Sequence, residues 1–181
     1  MSKVFDFLKN DFTNLYMKNV LEHKAVNKAI AFCDGDNLNL IYTGMFSEVN
    51  NGKGITDDLE LYLVSYLLQK HNVKGFGRAS AYVLEDQTTF IGFDIKTVDN
   101  EVWSQQNLFS VDEESKVIGV EADLKDSSDK NLICPLVKSY FEKIDFPEDT
   151  LKYLDNLYEQ IKPNLQVTKI CLLYTSPSPR D

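Results

Sequence analysis

The chain has 181 residues, 19 of them Lys or Arg and 28 Asp or Glu, for a formal net charge of −9. Hydrophobic residues make up 43% and aromatic residues 12%, enough to bury a core, which excludes a disordered or low-complexity chain. A pI near 4.7 argues against sequence-independent nucleic-acid binding, which needs clustered Lys and Arg, and equally against a polybasic membrane contact.

Residues 4–23 are expected to form the first helix, with Val4, Phe5, Leu8, Phe12, Leu15, Tyr16 and Val20 along one apolar stripe. The polar residues Lys3, Asp6, Lys9, Asn10 and Asp11 interrupt that stripe too early for a secretory leader, and no run approaches the length of a membrane span. Two strands, 29–33 and 38–42, flank Asp34-Gly35-Asp36-Asn37, a turn-forming set. That turn could suggest a calcium loop, but the fifth and sixth positions hold Leu38 and Asn39 where an oxygen ligand and a glycine are needed. A hairpin is the reading that fits.

Gly52-Lys53-Gly54 precedes the next helix, where phosphate loops sit, yet the full glycine-rich pattern is absent and three acids follow. A loop is expected there. Thr56 or Asp57 then caps a helix over 58–71, with Leu59, Tyr62, Leu63, Tyr66 and Leu67 inward and Asp57, Asp58 and Glu60 suiting the positive end of its dipole.

Strands are expected at 78–84 and 88–96, forming a hairpin around Glu85-Asp86-Gln87, then at 101–111 and 116–124. Asp112-Glu113-Glu114 reads as a solvated turn, and Asp126-Ser127-Ser128-Asp129 as the break after the last strand. Helices follow at 132–143, with Pro135 near its start, and at 147–162, stopped by Pro163. Something extended begins at 165–170.

The predicted class is α+β: a single antiparallel sheet of about five to six strands with helices packed on it, in the order α-β-β-α-β-β-β-β-α-α. In element order alone, over about residues 1–145, this resembles the scaffolds shared by roadblock, longin and profilin proteins. No motif of those families is present, so the likeness carries no functional residue across. One α+β domain is expected over residues 1–170.

Residues 171–181, Cys-Leu-Leu-Tyr-Thr-Ser-Pro-Ser-Pro-Arg-Asp, resemble the conceptual translation of a transposase-type sequencing adapter. They are expected to be a non-native tail on a C-terminally truncated chain. Outside that tail, Arg78 is the one arginine and the thiols are Cys33 and Cys134, too far apart for a paired motif. Free thiols suit a reducing compartment, so the cytoplasm is expected.

Candidate chemistry is sparse. Lys74-Gly75-Phe76-Gly77-Arg78 stands out, since Gly75 and Gly77 permit a close backbone approach and Arg78 offers a bidentate fork for a carboxylate. Trp103, the single tryptophan, is the other candidate lining residue. His23 and His71 each end a helix without metal-ligand spacing, and Cys134 is the better placed thiol, near a helix start. No metal or cofactor is expected.

Two functions follow. The first is a non-enzymatic protein–protein interaction module of the cytoplasm, binding neither nucleic acid nor membrane, with Arg78 a structural or rim residue whose loss costs about 1 kcal/mol or less. The second is a small-molecule-binding domain or small enzyme with a cleft near Arg78 and Trp103.

Overall fold

The computed structural model describes residues 2–34, 36–42, 55–83, 89–127 and 133–169. The loop at Gly52-Lys53-Gly54, the turn at Glu85-Asp86-Gln87 and the tail at 171–181 lie outside the described residues.

Helix α1 is α-helical over Lys3–Phe7, widens to a π-helical turn over Leu8–Phe12, and is α-helical again over Thr13–His23. Its spacing explains the widening. The buried residues Phe5, Leu8, Phe12, Tyr16 and Val20 recur mostly in steps of four. Each such step turns about 40° past a full α-helical rotation, so the stripe would wind off the sheet. The wider π turn takes up that excess.

The strands are β1 (Ala29–Asp34), β2 (Asn37–Tyr42), β3 (Val73–Val83), β4 (Thr89–Thr97), β5 (Val102–Val111), β6 (Val117–Ser127) and β7 (Gln166–Lys169). They form one sheet in the order β6-β5-β4-β3-β1-β2-β7, every described neighbour pair antiparallel. Asp34 faces Asn37 across the first hairpin, which is therefore tight. The sheet has seven strands, beyond the five to six expected. The addition is β7, which pairs Val167 with Asn39 on β2.

Helices α2 (Asp57–Lys70), α3 (Pro135–Lys138) and α4 (Glu148–Ile161) occupy the face opposite α1. The alternation of β1 shows why both faces are covered. Ile30 and Phe32 join Leu63, Leu67, Leu154 and Leu157 in one core, while Ala29, Ala31 and Cys33 join Leu8, Phe12 and Tyr16 in the other. A strand apolar on both sides needs a layer on each.

Several expected details differ: β3 begins at Val73 rather than at 78, and β6 runs on to Ser127, past the expected end at 124 and into the expected break. Tyr62, read as inward, is 42% exposed, and its place on the inner face goes to Val64 and Glu60. The helix expected over 132–143 shrinks to Pro135–Lys138. Beyond it Ser139, Tyr140 and Glu142 donate to carbonyls only three residues back, and Phe141 takes the left-handed conformation at φ 78°. Both features end an α-helical ladder. No helix of the described residues is long and apolar enough to cross a membrane.

Candidate functional site

Alternation along β3 divides the Lys74–Arg78 stretch between the two cores. Phe76 packs in the core of the α2 face, and Arg78 shares its side. Gly75 and Gly77 turn toward α1, where a β-carbon on Gly75 would lie 2.6 Å from Val4 and one on Gly77 2.7 Å from Phe12. The close approach that these glycines permit is that of helix α1. Trp103 sits opposite Ile95 of β4, in the core of the α1 face, with the Lys9 ammonium 4.9 Å from its ring centroid. Arg78 and Trp103 therefore occupy opposite sides of the sheet.

Arg78 is the centre of a buried polar cluster. Its Nε donates to Glu60 Oε1 at 3.0 Å, and one terminal nitrogen donates to the Tyr82 hydroxyl at 2.6 Å and to Cys134 Sγ at 3.8 Å. Glu60 also accepts from the Tyr140 hydroxyl on Oε1 and pairs with the Lys28 ammonium through Oε2. Its side chain has no solvent exposure, and that of Arg78 has 8%. An unpaired carboxylate at that depth would be prohibitively costly, and here two cations and a phenol meet it.

Asp94 stands opposite Arg78 on β4 and accepts from the Cys134 backbone N–H at 3.0 Å. Burial raises its pKa, while that N–H and the Arg78 charge oppose the rise. For Arg78 itself burial works against the charge, but Glu60 overrides it and the value stands above the ordinary one. Burial also drives Tyr140 well above the ordinary tyrosine value, reinforced by the charge of Glu60 and their hydrogen bond. Tyr82 is pushed up to about 12 by burial, with Arg78 pulling the other way.

The cluster ties four parts of the chain together: α2 through Glu60, β3 through Arg78 and Tyr82, the approach to β1 through Lys28, and the segment after β6 through Cys134 and Tyr140. That last segment is pinned further by Gln69 Nε2 and Ser65 Oγ, which bond Ile144 O and N at 2.9 and 3.2 Å. Chemically, the arrangement holds charge in place and presents its groups to one another.

The sequence reading placed Glu60 only at the positive end of a helix dipole, and it missed Lys28, Asp94 and Tyr140. For Glu60 a signal existed, because it precedes Leu63, Val64 and Leu67 by three, four and seven residues, on the inward stripe of α2. A carboxylate on such a stripe needs a buried cation, and a lone arginine is the natural one.

The remaining thiol and imidazoles are placed as follows. Burial, with the nearby charge of Asp11, raises the Cys33 pKa to about 12, which makes it a poor nucleophile. His71 caps the end of α2 and packs on Tyr158, ring centroids 4.5 Å apart. His23 ends α1. Among the described residues no three His, Cys, Asp or Glu side chains gather as a metal site would require.

The outermost strand, β6, has β5 as its one strand neighbour among the described residues. Seven of its eleven residues have register partners on β5, with three irregularities along the pairing, and the Val117 N–H is taken by the Lys24 carbonyl at 3.0 Å. Ile118 near its start is 63% exposed. Comparisons with protein-family models, curated proteins and solved structures give no match to this chain.

Proposed function

We propose that this chain is a non-enzymatic protein–protein interaction module that docks an extended segment of its partner along the outer edge of β6. The observation that carries the reading is an eleven-residue strand that, among the described residues, pairs with one strand only. Such an edge presents a row of backbone donors and acceptors, which an added strand satisfies while side-chain contacts select the sequence. With the Val117 N–H already bonded, the added strand pairs beyond it.

Charge selects the partner. The strand sequence holds Glu121, Asp123 and Asp126 against Lys125, in a chain of net charge −9, so a basic extended segment is favoured and a second copy is not. The same acidity disfavours nucleic acid and anionic membranes as partners. The Arg78 cluster supports a non-enzymatic reading because its groups face and neutralise one another. Cys33 and Cys134, both free among the described residues, suit work in the cytoplasm.

Selection from displayed libraries of extended peptides tests this reading. Binders should come from the basic pool and should slow amide exchange along Val117–Ser127. Binders that protect another element, or that are as often acidic, would contradict it.

A further inference from the structure

Between Val117, which pairs with Val111, and Gly119, which pairs with Ser110, Ile118 has no register partner on β5. It is the extra residue of a bulge, and a bulge re-aims the side chain that it carries. At 63% exposure Ile118 is the most exposed large hydrophobic residue among those described. Val111, across from Val117, is itself 42% exposed. Apolar surface is therefore bare at the first position past the Val117 N–H, which the Lys24 carbonyl occupies.

The charges lie further on. Glu121 and Asp123 follow Ile118 by three and five residues, and Asp126 by eight, against Lys125 as the one base of that stretch. The sequence of the edge is thus graded, apolar first and acidic beyond. An added strand sets each side chain about 5 Å from the one opposite, Cβ to Cβ, so the strand that fits carries the complementary order. Every described strand pair in the sheet is antiparallel, and an antiparallel neighbour continues that pattern. Such a strand passes the positions of Asp123 and Glu121 first and reaches that of Ile118 last, where the Lys24 carbonyl closes the edge.

We propose that the β6 edge takes its partner segment antiparallel, with two basic residues followed, after a short gap, by an apolar residue that packs on Ile118. Ile118 then sets the register, and the acidic stretch supplies the attraction. A slip of one residue would carry the apolar side chain to the other face, away from Ile118. The inference rests on the reading of β6 as the docking edge.

Backbone NMR titration of the full chain with acetylated, amidated peptides tests it. The probes are Thr-Lys-Thr-Lys-Thr-Thr-Ile-Thr, the same peptide with Ser in place of Ile, and the first peptide in reversed order. Saturable shifts should gather on Val117–Ser127, with the Ser and the reversed peptides each about fivefold weaker, the upper range for one cross-strand pair. Ile118→Ser, at an exposed bulge, should keep the folded spectrum and bring the Ile and Ser peptides to equal affinity. Equal binding of those two at β6 by the unchanged chain would overturn this inference and leave the edge reading standing. So would a preference that survives Ile118→Ser, or a reversed peptide that binds as tightly as the first. No saturable shift on β6 with any of the peptides would overturn both.

Discussion

A β-carbon placed on Gly77 would lie 2.7 Å from Cε1 of Phe12, closer than real side chains approach. Phe12 cannot easily yield. Its ring is fully buried and packs edge-on against Phe93 at 5.9 Å and Tyr16 at 6.2 Å. Gly77→Ala should therefore destabilise the fold by about 1–3 kcal/mol, the usual cost of overpacking, despite alanine's better strand propensity. Chemical denaturation reads this directly. Combining it with Phe12→Leu should cost clearly less than the sum of the two single changes, because the smaller side chain makes room for the methyl group.

Tyr140 is one of several buried tyrosines that contribute to alkaline stability. Its folded pKa is raised by burial and by Glu60, so the unfolded chain releases the phenolic proton first, near the ordinary value of about 10. The stabilisation is complete below that pH and is lost as pH climbs through the higher folded value. Tyr82 behaves alike, its share fading between about 10 and about 12. Unfolding free energy should fall above pH 10, and Tyr140→Phe should flatten that fall. At neutral pH the same variant should lose about 1–3 kcal/mol, since Glu60 forfeits a buried donor.

Acid acts at the other end of the chain. Glu101 accepts from the Ser2 backbone N–H at 2.7 Å and from the Ser2 hydroxyl, anchoring the cap of α1 to the turn before β5. Slight burial favours its protonation, but the bonds from Ser2 and Thr97 outweigh it and hold the carboxyl below the ordinary value. Its contribution is present above the ordinary glutamate pKa and is lost as pH falls through the lower folded one. Glu101→Gln should reduce the acid-side loss of stability in denaturation series between pH 5 and 2, and should speed amide exchange in the first turn of α1.

Much of the fold was legible because local signals agreed with tertiary ones. The Asp34–Asn37 turn, the Thr56 cap and the apolar stripe of α4 each specify their element without distant help. The segment after β6 was not legible in this way. Its apolar residues Ile133, Val137 and Tyr140 have helical spacing, but Tyr140 is drawn to Glu60 and Ile144 to Ser65, and those long-range bonds replace the helix with turns. The role of Arg78 was half visible. Its need for an acid could be read, but the acid's location 18 residues earlier on another element, and the depth of the pair, come from packing. Burial raises the expected cost of removing Arg78 from about 1 kcal/mol for an exposed pair to about 3–5 kcal/mol.

Whether Arg78 serves the fold or a ligand is decided by a double-mutant cycle on Glu60 and Arg78, with stability measured by denaturation. Glu60→Leu and Arg78→Met should each be strongly destabilising, because each strands the other's buried charge. The double variant should be more stable than the sum implies, giving a coupling of about 2–3 kcal/mol. Additive losses, with coupling below about 0.5 kcal/mol, would mean that the pair does not hold the two elements together, and would contradict the reading of this cluster as a structural clamp.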